Sequence, residues 1–115
     1  MSLSYQGVRP PTLPTLRRYG LTLEAWVEIG ERQKWRCPIC ERHLGLVPRN
    51  IDHEHVIGWK KLPDAMRALF VRGILCARCN WKVVPDPTPS SENIERLAAY
   101  LRAHEKRRAA ARNSA

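Results

Sequence analysis

No stretch of this chain approaches the roughly 20 consecutive apolar residues that a membrane-spanning helix requires, which excludes a helical span. Residues 1–20 hold no continuous apolar segment of signal-peptide length, and Pro10, Pro11 and Pro14 interrupt them. A cytoplasmic setting without structural disulfides is therefore expected. No internal repeat is found. Acidic residues are in short supply. Against 20 Lys and Arg there are 11 Asp and Glu, giving a formal charge of +9 and an isoelectric point near 10.0. Such an excess points to a polyanion partner, and nucleic acid is expected ahead of a merely soluble basic protein. At 115 residues the chain is one domain with a modest core, and a metal bound only by the folded form would add stability.

What the chain does have is four cysteines in two CxxC pairs, Cys37-Pro38-Ile39-Cys40 and Cys76-Ala77-Arg78-Cys79, 35 residues apart. Each pair places two thiolates on one tight turn, and tetrahedral zinc takes two such turns. Two disulfides would need an oxidising compartment, and a redox dithiol would need only one pair. Four thiolates leave no position for water, so one structural Zn2+ is expected, a staple rather than a catalyst. His43, three residues after Cys40, is then surplus and expected to face solvent.

The coarse organisation is α+β. Residues 1–20 read as an extended basic arm, 21–84 as a zinc-bound core, 85–90 as a Pro-rich linker and 91–115 as a basic helix with a frayed tail. Thr22 as N-cap, followed by Leu23, Trp26, Val27 and Gly30 on one face, predicts a helix over about 22–33. Asn50–Ile57 has strand composition. A short helix is expected between Pro63 and Phe70, and a returning strand over Val71–Cys76, with Gly73 allowing a bulge or a close approach. Ile94, Leu97, Ala98 and Leu101 predict the buried stripe of the last helix. His104 is expected to be exposed, and Trp26 to be core. Trp35, Trp59 and Trp81 are expected to pack around the zinc core.

Between the knuckles lies Asp52-His53-Glu54-His55, and Asn80 directly follows Cys79. On an extended strand His53 and His55 share one face, and Asp52 and Glu54 the other. Asp52 and the carboxamide oxygen of Asn80 offer hard ligands for a divalent cation. His53 or His55 offers a neutral imidazole to deprotonate water. Phosphodiester hydrolysis uses those parts.

Cys37-Pro-Ile-Cys40, Asp52-His-Glu-His55 and Val71-Arg-Gly-Ile-Leu-Cys-Ala-Arg-Cys-Asn80 together resemble the recombination endonuclease VII family. That family belongs to the HNH, or ββα-metal, nucleases and is frequent in phages. Tyr19-Gly20-Leu21-Thr22-Leu23 is also similar, so the likeness covers about 19–82. It implies a zinc-stapled ββα-metal domain, flanked here by an N-terminal helix and a C-terminal basic helix. It implies a DNA endonuclease, phage-encoded, that nicks or cuts both strands and leaves 5′-phosphate and 3′-hydroxyl ends. By the same likeness Asp52 and Asn80 would hold Mg2+ or Mn2+, His53 would be the general base, and His55 would contact the phosphate or leaving group. Some members carry Glu three residues after the Asn, where this chain has Val83. Arg72, Arg36, Lys60, Lys61, Arg107 and Arg108 are the expected DNA contacts. A non-catalytic zinc module that binds nucleic acid is the alternative. The sequence is compatible with a monomer or a dimer.

Overall fold

The computed structural model describes residues 5–86 and 90–113. Its elements are helices α1 (Leu13–Arg18), α2 (Leu23–Arg32), α3 (Asp64–Leu69) and α4 (Ser91–Asn113), strands β1 (Arg49–His53) and β2 (Val71–Cys76), and short 3-10 and π turns between them. The architecture is the α+β arrangement expected, a two-stranded antiparallel sheet surrounded by helices.

The N-terminal segment departs from the expected extended arm. Pro14 falls in the first turn of α1, where a missing N–H breaks no helical bond, and Thr12 caps the helix by accepting from the Thr15 amide. The chain leaves α1 through a Schellman turn, in which the Gly20 amide donates to Arg17 and the Leu21 amide to Leu16. Gly20 has φ +71°, and a Cβ there would meet the Asp64 carbonyl oxygen at 2.1 Å, so the turn admits only glycine. Val8 and Leu16 are buried, and Tyr5 packs edge-on to Trp26 with ring centroids 5.6 Å apart. The folded unit therefore begins well before residue 21.

Helix α2 forms as predicted, with the Thr22 hydroxyl accepting from the Ala25 amide at 3.1 Å. At Gly30 an added Cβ would sit 2.1 Å from the Trp35 ring, which is how a bulky indole closes over the helix. Just past α2, the Gln33 carboxamide bonds both backbone groups of Ile74, each at 2.8 Å, and so satisfies the outer edge of β2. Gly73 gives the close approach, since a Cβ there would meet Gln33 Oε1 at 2.6 Å. β1 ends at His53, four residues before the expected Ile57. The register pairs Asp52 with Gly73 and His53 with Val71, leaving Arg72 as the extra residue of a bulge.

The four cysteines converge, with all four sulfurs within 4.8 Å of one another, and none forms a disulfide. They are positioned to bind a metal ion. His43 stands apart, its Nδ1 accepting from the Gly45 amide at 3.0 Å. Burial and the crowding of neighbouring thiols push Cys79 up, and burial pushes Cys37 up, so thiolates there need a compensating cation.

Helix α4 is more ordered and differently oriented than its apolar stripe predicts. Ile94 is exposed, whereas Tyr100 and His104 are buried with Leu97 and Leu101 partly so. His104 is thus not the surface residue expected. Polar side chains can occupy that face because their partners lie on the strand beneath: the Tyr100 hydroxyl donates to Asp52 at 2.7 Å, and His104 Nε2 lies 3.1 Å from Glu54. The last turns, expected to fray past Lys106, are held by Arg107 donating to the Arg72 carbonyl at 3.0 Å. Arg108 adds a bond to Glu54 at 2.8 Å and lies over the Phe70 ring. Residues 87–89 of the expected linker and 114–115 of the expected tail lie outside the described residues.

Elemental analysis should return about one zinc per chain, as a site closed by four thiolates requires. Cys76→Ala or Cys79→Ser should unfold the domain, because binding and folding are coupled. A folded metal-free protein with two disulfides would contradict this.

Acid should loosen the α4 contact. Burial pushes the Glu54 carboxyl up, but the His104 hydrogen bond and the Arg108 charge outweigh it and hold it below its usual range. His104 is held below its ordinary value by burial, against the pull of Glu54. A depressed imidazole loses its stabilising contribution as pH falls below about 6.5, and a depressed carboxyl as pH falls through its own folded value. Both signs agree, so urea midpoints should decline on acidification from about pH 6.5, the ordinary histidine value. His104→Gln should lessen the upper part of that decline, to which the depressed His53 also contributes, and keep the part of the lower decline that Arg108 sustains. A midpoint flat down to the carboxylate range would show that His104 is not coupled to folding, and one flat through that range as well would show the same for Glu54.

Candidate functional site

Side-chain alternation along β1 separates the acidic and basic halves of the Asp52–His55 segment. Asp52 and Glu54 turn toward α4, while His53 and His55 turn away from it. The His53 imidazole is stacked on Trp59, with ring centroids 4.0 Å apart at 25°, and its other neighbours are His55 at 4.8 Å and the edge of Tyr19 at 5.6 Å. Burial lowers the His53 pKa, and the adjacent His55 lowers it further, so the ring is neutral near pH 7.

The wall behind His53 is built by Arg67 and Trp59. Arg67 Nη2 donates to the Arg17 carbonyl at 2.9 Å and Nε to that of Arg18 at 3.1 Å, two last-turn carbonyls of α1 that have no partner within the helix. Its remaining bonds go to Leu62 and Asp64. Trp59 Nε1 donates to the Arg67 carbonyl at 3.2 Å, which fixes the indole on which His53 rests. These bonds leave an open cleft of about 640 Å³ lined by Arg18, Tyr19, His53, Trp59, Lys60 and Arg67. Sequence reasoning assigned no role to Arg18, Tyr19 or Arg67, although Tyr19-Gly20-Leu21 was part of the family-like lead-in. The Schellman turn at Gly20 is the local signal that could have placed Tyr19 at the end of a helix.

Asp52 stands differently from expectation. Its carboxylate is 3% exposed, Oδ2 accepts from Arg72 Nε at 2.8 Å and from the Tyr100 hydroxyl, and Oδ1 accepts from Arg72 Nη2 at 3.1 Å. Both oxygens are engaged, and they lie on the face opposite His53. Asn80 sits half-buried in the π turn Cys79–Val83, directly after its cysteine, and Val83 packs against the core. As arranged, then, the Asp52 carboxylate does not fit a divalent cation shared with His53, because Arg72 already neutralises it.

The expected DNA contacts divide likewise. Lys60 and Lys61 are exposed on the short turn at Trp59–Lys61, with Lys60 lining the His53 cleft. Arg36 is exposed and donates to the Glu41 carbonyl. Arg72, Arg107 and Arg108 are instead committed to partners inside the chain, on the α4 side of the sheet. Of the tryptophans, Trp26, Trp35 and Trp59 are buried and Trp81 is exposed.

No helix among the described residues is long and apolar enough to cross a membrane. The chain is 35% identical over 88 residues to the gene 59 protein of Mycobacterium phage D29, covering 76% of this chain and 47% of that protein. It is 38% identical over 87 residues to the gene 59 protein of Mycobacterium phage L5, covering 75% and 46% respectively. The chain thus spans about half the length of the curated relatives it matches. No solved structure matches it. The family model for recombination endonuclease VII matches residues 13–103, from the first residue of α1 to the middle of α4. By a match over that much of its length, the chain belongs to the recombination endonuclease VII family.

Proposed function

We propose that this chain hydrolyses DNA phosphodiester bonds with His53 as general base. The observation that carries the reading is a neutral imidazole, stacked against Trp59 and His55, in an open cleft that Arg18 and Lys60 also line. A phosphate entering the cleft meets positive charge, and a water beside it meets a base able to accept its proton. Water oxygen bonds to phosphorus while His53 takes the proton. The bond from phosphorus to the 3′ oxygen breaks, and that oxygen leaves as a hydroxyl after gaining a proton. The products then carry 5′-phosphate and 3′-hydroxyl ends, as the resemblance implies. His55, exposed and stacked on His53, is placed to contact the phosphate or the leaving oxygen.

Dependence on Mg2+ or Mn2+ belongs to this reading through the resemblance alone, and no step above runs through an ion. Asp52 reaches a cation only if Arg72 releases it. That closure favours a second reading, a zinc module that binds nucleic acid without cutting it.

Supercoiled plasmid incubated with purified protein, with and without Mg2+ or Mn2+, separates the two. His53→Ala should lose about 10² to 10⁴ in rate, the worth of a general base, while keeping zinc and DNA affinity. If it cuts as fast as the parent protein, His53 is not the base. If neither cuts any form of DNA with either cation, the binding module is the better reading.

The pH profile gives an independent check. A protonated imidazole cannot accept a proton, so activity should fall in acid with a midpoint below about 6.5, the ordinary histidine value. Trp59→Phe should keep that limb. Trp59→Ala, which opens the ring to water, should move it up toward the ordinary value. A limb that stays put in Trp59→Ala would show that the indole does not set the environment of His53.

A further inference from the structure

We propose that the DNA strand cut at His53 is gripped from the α1 side of the molecule, by Arg18 and Lys60, and that the basic helix α4 stays off it. The proposal rests on the nuclease reading above and assigns the phosphate-contacting side chains within it. The chain's basic residues are most numerous in α4, but position decides which of them a phosphate can reach. α4 packs on the Asp52 and Glu54 side of β1, through Tyr100, His104 and Arg108. His53 lines the cleft from the other side of the strand, with His55, just past the strand's end, stacked on it. A phosphate beside His53 therefore has the sheet between it and α4. Moreover, Arg107 and Arg108 already serve Arg72 and Glu54.

The His53 face supplies its own cations. Arg18 and Lys60 line the cleft, and both are exposed. Arg67 cannot join them, because its guanidinium is spent on backbone carbonyls and Asp64. A second open cleft, about 460 Å³, shares Arg18 and Tyr19 with the first and continues past Arg9, Arg49 and Asn50. Two clefts joined across Tyr19 make a groove rather than a pit, which suits a sugar–phosphate backbone more than a small compact ligand. Arg49 is held by the Arg9, Leu44 and Val47 carbonyls, so the exposed Arg9 is the cation this second cleft offers. Charge and continuity thus both run from His53 across Tyr19 to Arg9.

The test compares two double variants by fluorescence anisotropy on a labelled duplex, over a range of salt concentrations without added divalent cation. Each phosphate neutralised contributes about 0.9 to the slope of log K against log salt on duplex DNA. Arg18→Gln with Lys60→Gln should flatten the slope by about 1.8, two such contacts. Arg102→Gln with Arg112→Gln, exposed on α4, should leave it unchanged. Zinc content and circular dichroism should match the parent in both. A slope flattened by the α4 pair and untouched by the Arg18/Lys60 pair overturns the proposal, as does a parent protein with no salt-dependent DNA binding. Plasmid cleavage is scored separately. A slope lost with Arg18 and Lys60 in a protein that never cuts upholds the grip and overturns only the nuclease reading.

Discussion

The buried carboxylate of Asp52, held by two nitrogens of Arg72 and the hydroxyl of Tyr100, joins β1, β2 and α4 at one point. A charge taken out of water is costly unless paired and hydrogen-bonded, and here each oxygen of Asp52 is engaged. Breaking such a pair from one side typically costs about 3–5 kcal/mol, because the survivor stays buried and unpaired. That asymmetry matters more than any net gain from the pair. It gives the helix one docking position, since shifting α4 by a residue would strand Asp52 without Tyr100. Glu54, two residues along, repeats the arrangement with His104 and Arg108 nearer the surface.

The pleat then turns one local sequence into two unlike environments. Four consecutive polar residues would make an ordinary surface strand if both faces met water. Here the carboxylate face is covered by a helix carrying a phenol, an imidazole and guanidinium groups, which answer acids. The imidazole face is left to aromatic rings, which answer imidazoles. His53 therefore sits among groups that favour its neutral form, Trp59 by excluding water and His55 by charge. The helix that anchors the strand and the base that the strand presents never compete for the same space.

Much of this was legible in the sequence, and the limits have physical causes. Cysteine spacing reports the convergence of the four thiols because each knuckle is a four-residue unit. Helix α2 announces itself through Thr22 and its apolar spacing, and β2 through its composition. The opposed faces of Asp52 and His53 follow from a period of two. The α4 face was missed because periodicity scores apolar residues, whereas this helix buries Tyr100 and His104 against partners 48 and 50 residues earlier. Helix α1 was missed because three prolines suggest extended chain, and only the position of Pro14 in the first turn makes it compatible with a helix. The cleft wall was invisible for a related reason. Arg67 reaches the ends of α1 through backbone carbonyls 49 and 50 residues away, and a carbonyl carries no sequence signature.

Charge followed the same logic. Counting basic residues along the chain favours α4, where they are most numerous, but a count does not say which cations are already used. Arg67, Arg72, Arg107 and Arg108 are bound to groups of the protein itself, and Arg49 to three carbonyls. In each case a guanidinium replaces backbone or carboxylate hydration in a domain too small to bury much apolar surface. Part of the high positive charge is therefore structural, a consequence of stapling short elements together with arginine. The cations left over are the ones a polyanion meets first. Around His53 they are few, and they stand on α1 and on the turn at Trp59–Lys61. A small fold of this kind separates its two uses of arginine by the faces of a single strand.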